Sequence, residues 1–217
     1  KADLLECDVY LSSDGVPVLL HDGTLDRTTN GTGSITSLTL EQIKKLDAGS
    51  WKGAAFAGEP VPTLEELLEL AKGKAQVLIE IKQAGQATVA ATIAAIRKTG
   101  MSNNVVIQSF NPESVKFAAQ LAPDIPRALL LGDPGIRNAP AAGAVIVKQV
   151  LESGANAASI NYGAITPDLV RYLHSRGIAV FVWTVDDRYT LQRMIQAGVD
   201  GIITNDPATL WQVIAAQ

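Results

Sequence analysis

Three carboxylates and a lysine stand at regular spacing in two apolar runs. Glu6 and Asp8 lie in LLECDVYL, residues 4–11, and Glu80 and Lys82 lie in QVLIEIK, residues 76–82. Both runs read as β-strands. Side chains alternate along a strand, so Glu6 and Asp8 share one face while Leu5, Cys7 and Val9 take the other. Glu80 and Lys82 repeat the i, i+2 pattern. Carboxylates gathered at one point repel one another unless positive charge lies between them. A hard divalent cation, Ca2+ or Mg2+, would supply that charge, because both prefer carboxylate oxygens. Pairing with Lys82 and other basic residues would also supply it, and spacing does not choose between the two. Zn2+ fits less well, since only His21 offers a nitrogen ligand nearby.

The chain has two histidines. His21 closes the apolar stretch VPVLL and precedes Asp22. An imidazole there suits general acid or base chemistry near neutral pH. The plainer reading of a His-Asp dipeptide is a loop histidine bonded to backbone. His174, late in RYLHSRG, suits the negative end of a helix dipole and reads as structural. Trp183 in VFVWTVDD, like Ser109 and Phe110 in VVIQSF, closes a strand. These residues read either as core or as the apolar wall of a substrate pocket. Asn161 and Asn205 read first as turn formers.

The elements that must position these groups alternate along the chain. Strands are expected at 4–11, 76–82, 105–110, 127–131, 157–162, 179–185 and 201–205. Amphipathic or Ala-rich helices are expected at 63–72, 86–99, 112–121, 143–153, 167–176, 187–197 and 207–215. Thr63 and Thr166 precede acidic first turns, and Gly100, Gly177 and Gly198 sit where helices end. Such alternation predicts a parallel sheet with crossover helices, and the nearly continuous apolar runs fit strands covered on both faces. The first strand lacks the Gly-rich fingerprint of dinucleotide folds. Seven strand-helix units in 217 residues point to an α/β fold, a (β/α)8 TIM barrel whose first unit lies outside this sequence. We expect one domain over 1–217. Residues 12–60, with a hairpin-like turn, a VPVLLHD strand and a Gly-rich remainder, are too long for an ordinary loop and read as an inserted cap at the barrel mouth.

Composition narrows the partners. The net charge is −4 without any basic run, which argues against nucleic acid. Apolar runs are too short for a membrane span. A single cysteine, Cys7, excludes an internal disulfide and a cysteine-rich zinc site. No signal peptide is visible, and Lys1 is not a natural start, so the sequence is expected to begin partway into the protein.

Taken in order, the motifs ECD, DGVPVLLHDGTLDRTTNGTG, LDAGSW, VPTLEELL, IEIK, QSFNPE, VWTVDD and DGIITNDP resemble those of the glycerophosphodiester phosphodiesterase family. They cover essentially the whole chain, and the ordered set is specific where each alone is weak. The LDAGSW to PTLEE stretch looks most like the cytoplasmic bacterial branch, which implies a cytoplasmic protein. The resemblance implies a small-molecule glycerophosphodiester substrate, one divalent cation (Ca2+ or Mg2+), and release of glycerol 3-phosphate and an alcohol. It makes Glu6, Asp8 and Glu80 metal ligands, His21 one of two catalytic histidines, and Lys82 a lysine near phosphate and metal. It places Phe110 and Trp183 along the substrate pocket. The family also carries a His-Arg pair after its first barrel strand and a PENT-like helix start, and neither occurs in this sequence. Two alternatives follow: a lysophospholipase D-type phosphodiesterase, or a silent barrel that binds phosphodiesters without turnover.

Overall fold

A computed structural model describes residues 2–133, 135 and 139–216. Among these, eight strands and eight α-helices follow in chain order. The strands are β1 (Leu4–Leu11), β2 (Pro17–Leu19), β3 (Gln76–Ile81), β4 (Val105–Ser109), β5 (Arg127–Leu131), β6 (Ala157–Asn161), β7 (Ala179–Trp183) and β8 (Gly201–Ile202). The helices are α1 (Leu40–Ile43), α2 (Leu64–Ala71), α3 (Gln86–Thr99), α4 (Pro112–Leu121), α5 (Ala139–Ser153), α6 (Pro167–His174), α7 (Arg188–Ala197) and α8 (Pro207–Ala215). The strand-helix rhythm of the sequence is therefore realised, with β8 much shorter than expected and α5 starting earlier.

The chain forms two compact units. One comprises residues 4–107 and 120–125. Its strands run in the order β2-β1-β3-β4. β1 and β3 are parallel, with Glu6 opposite Leu78 and Asp8 opposite Glu80. The Lys82 N–H donates to Val9 O, carrying the pairing past the end of β3. β2 returns antiparallel on β1 after a tight turn at Ser12–Gly15, where Gly15 takes a φ of 84°. The Cys7, Val9 and Leu11 side of β1 is buried, as its alternation requires.

Much of residues 12–60 packs around one cluster: Val18, Leu20, Leu25, Ile35 and Ile43 are buried together with Val61, and Tyr10 of β1 packs against them. α1 and α2 each start at a capping box. Thr63 Oγ1 accepts the Glu66 N–H while the Glu66 carboxylate accepts the Thr63 N–H, and Thr39 and Gln42 do the same for α1.

The other unit contains β5 to β8, all parallel in sequence order, with α5 to α8 between and after them. Its core draws on Ile146, Ile160, Leu173, Val180, Val182 and Leu191. α7 ends at Gly198 with φ 81°, a left-handed conformation that costs glycine little.

Candidate active site

Glu6, Asp8 and Glu80 each offer a carboxylate oxygen, and the three oxygens lie within 4.8 Å of one another. Strand alternation and the β1–β3 register bring them there. Glu6 is exposed, Asp8 half-buried and Glu80 buried. Lys82 Nζ is 3.2 Å from Asp8 Oδ1 and 2.9 Å from Glu80 Oε1. Burial pushes the Glu80 carboxyl above its usual value; the Lys82 bond and charge pull it back only partly, and Asp8 pushes it up further. Burial works to lower the Lys82 ammonium, yet Glu80 and Asp8 outweigh it and hold the group above its usual value. The two directions differ because Lys82 is shared between two acids, whereas at Glu80 burial outweighs the pull of Lys82 and His21.

The donor set fits a hard divalent cation. Ca2+–oxygen distances of about 2.4 Å put opposite ligands about 4.8 Å apart, and Mg2+ about 4.2 Å. Lys82 pairs with two of these three carboxylates. Three converging carboxylate oxygens suit a dication. Both sources of positive charge are thus compatible here: Lys82 pairs with Asp8 and Glu80, and the three carboxylate oxygens still converge.

His21 lies just beyond β2. The Leu20 N–H donates to Asp8 O, which anchors the approach, and the Ile35 N–H donates to Gly23 O on the far side. The imidazole is 65% exposed, with Nδ1 2.7 Å from Asp22 Oδ1. Arg27 grips the same carboxylate, Nε to Oδ2 at 2.6 Å and an amino group to Oδ1 at 3.1 Å. Arg27 first and His21 second hold the Asp22 carboxyl well below the usual range. A carboxylate that receives Nδ1–H leaves Nε2 free to take or give a proton. His21 is therefore bonded to a side chain rather than to backbone. Arg27 stands in the same motif five residues on; only the fold shows that it completes the set.

Tyr10 lies on the face of Glu6 and Asp8, as period-2 alternation requires. Burial raises its phenol; Lys82 opposes, while Asp8, Asp22 and Glu80 reinforce the rise.

In the other unit Trp183 and Phe110 meet edge to face, with centroids 5.5 Å apart at 85°. The indole N–H donates to Ser159 O. Phe110 is 49% exposed, so it is not a core residue. Ser109 is buried at the end of β4, and its Oγ accepts the Asn111 N–H. Asn161 accepts the Gly163 N–H as a turn former, and Asn205 is held by Asp186. His174 pairs with Asp200, whose carboxylate also accepts the Val180 N–H.

A family model, the glycerophosphoryl diester phosphodiesterase family, matches residues 1–209. The chain belongs to this family. A glycerophosphodiester phosphodiesterase of Caldanaerobacter subterraneus is 40% identical over 221 aligned residues, spanning 98% of this chain and 86% of that protein. An Oleispira antarctica phosphodiesterase, solved in complex with the product sn-glycerol-3-phosphate, is 26% identical with a TM-score of 0.89, covering 98% of this chain and 85% of that one. A glycerophosphodiester phosphodiesterase from Agrobacterium tumefaciens is 32% identical with a TM-score of 0.78, covering 96% and 86%. The fold class is the TIM barrel of these phosphodiesterases, and the enzyme class is that of phosphoric diester hydrolases. Among the described residues no helix is long and apolar enough to cross a membrane.

Proposed function

We propose that this phosphodiesterase hydrolyses a glycerophosphodiester to glycerol 3-phosphate and an alcohol, with His21 as a proton-transfer group and one divalent cation, Ca2+ or Mg2+, at Glu6, Asp8 and Glu80. The observation that carries the reading is the convergence of three carboxylate oxygens within 4.8 Å beside Lys82, on motifs in the family's order. When bound, the cation would supply charge stabilisation at a phosphoryl oxygen. Lys82 adds fixed positive charge for the phosphodiester anion. His21 moves a proton at Nε2 while Asp22, steadied by Arg27, fixes the ring. In the overall reaction water adds across the P–O bond: its oxygen joins phosphorus and its proton ends on the departing alkoxide. Phe110 and Trp183 are assigned to the substrate pocket. Residues 12–60 are assigned as a cap within a single 1–217 domain; the cluster of Val18, Leu20, Leu25, Ile35 and Ile43 supports the cap. A cytoplasmic location rests on the LDAGSW to PTLEE likeness alone.

The test is release of glycerol 3-phosphate from glycerophosphocholine, with and without EDTA. Turnover abolished by EDTA and restored by Ca2+ or Mg2+ supports the reading. Full activity in EDTA removes the metal, and turnover unchanged in His21→Ala removes the histidine.

A further inference from the structure

Tyr10 extends the site face of β1. The burial of this strand alternates, with Cys7, Val9 and Leu11 buried and Glu6, Asp8 and Tyr10 on the more open side. Successive residues on one face stand about 6.7 Å apart along a strand, so Tyr10 begins one step beyond Asp8 toward the C-terminal end. Its ring packs against the apolar cluster of the 12–60 segment. A methyl group placed on Gly23 would lie 3.5 Å from Tyr10 Oη and 3.7 Å from Cε1 and Cζ. The hydroxyl is therefore set beside the His21–Asp22–Gly23 turn, and the ring beneath it is braced. Among the described residues none forms a hydrogen bond with that hydroxyl.

We infer that Tyr10 is a substrate-binding residue, whose hydroxyl donates a hydrogen bond to an oxygen of the phosphodiester substrate. The inference rests on the proposed hydrolysis and adds a contact to it. The face already carries several carboxylates, and an anionic substrate needs donors there that bring no further negative charge. A phenol is such a donor at neutral pH. Packing of the ring against that cluster limits the freedom lost when the bond forms. Two kinds of substrate oxygen fit, a phosphoryl oxygen and a glycerol hydroxyl, and both present the same acceptor chemistry.

The test compares the wild type with Tyr10→Phe on glycerophosphocholine and on bis(p-nitrophenyl) phosphate, a diester without glycerol. Tyr10→Phe keeps the ring, and its melting temperature is expected to match the wild type. The expected result is a loss of about 10-fold in kcat/KM on glycerophosphocholine, the scale of one hydrogen bond to substrate. Loss on both diesters assigns the bond to a phosphoryl oxygen; loss on glycerophosphocholine alone assigns it to glycerol. Product affinity, titrated with sn-glycerol 3-phosphate, should weaken in step in either case. Wild-type rates on glycerophosphocholine for Tyr10→Phe would overturn the inference and leave the hydrolysis standing. A wild type that turns over neither diester would overturn both.

Discussion

Asp8 and Glu80 stand opposite each other across the parallel β1–β3 ladder, and Lys82 Nζ reaches both carboxylates. Glu6 joins them from one step earlier on β1. Lys82 pairs with two of the three carboxylates, so the cluster carries a fixed cation of its own beside the converging oxygens.

Glu80→Gln therefore separates the two roles of the cluster. We expect Ca2+ or Mg2+ affinity, measured by calorimetry, to fall by at least about 100-fold, with kcat/KM falling alongside. Lys82 keeps Asp8 as a partner in this variant, so folding should survive. A wild type that takes up neither ion in the titration would show that the acids hold no divalent cation.

Asp22 is predicted to act through His21. His21→Ala should lower kcat by about 100- to 10,000-fold, the usual worth of a positioned acid or base. Asp22→Asn should lower kcat by less and shift the pH–rate profile, because the Nδ1 partner loses its charge. Arg27→Ala should have the smallest effect of the three. Unchanged pH–rate profiles in Asp22→Asn would break the link.

Trp183 and Phe110 are expected to affect KM more than kcat. Trp183→Ala removes an edge-to-face contact worth about 0.5–1.5 kcal/mol and the bond to Ser159 O. Thermal melting should report that loss. Steady-state kinetics on glycerophosphodiesters with different alcohol groups should show KM rising most for the largest apolar alcohol. A KM indifferent to the alcohol in both proteins would remove these residues from the pocket.

Asp47 offers a pH test of the 12–60 segment. Its carboxylate accepts from the Ser50 hydroxyl and from the Ser50, Gly49 and Gly58 N–H groups, which together hold it well below the usual carboxylate range. A depressed native pKa stabilises the fold above the unfolded value of about 3.9 and loses that contribution as pH falls through the native value. Asp47→Asn should therefore melt below the wild type by a constant margin from about pH 5 to 8, and the margin should narrow below about pH 4. The loop it closes is tight: a β-carbon on Gly49 would lie 1.8 Å from Phe56 O. A margin that widens in acid would contradict the assignment.

The sequence by itself determined the parts of this protein that depend on local chemistry. Helix limits followed from caps such as Thr63, Thr166, Gly100 and Gly198. The shared face of Glu6 and Asp8 followed from the two-residue period of a strand. Ordered motifs pointed to the family. Tyr10 shares that face by the same period, but a strand aromatic alone does not mark a site. Tertiary structure alone decided which charges meet. The distances from Lys82 to Asp8 and Glu80 depend on the β1–β3 register, set by hydrogen bonds between segments far apart in the chain. The Asp22 and Arg27 partnership needs a turn held by Asp8 O on one side and Ile35 on the other. The contact of Phe110 with Trp183 joins the ends of two different strands. Spacing along a chain fixes which face a side chain takes, but only packing fixes what stands across from it.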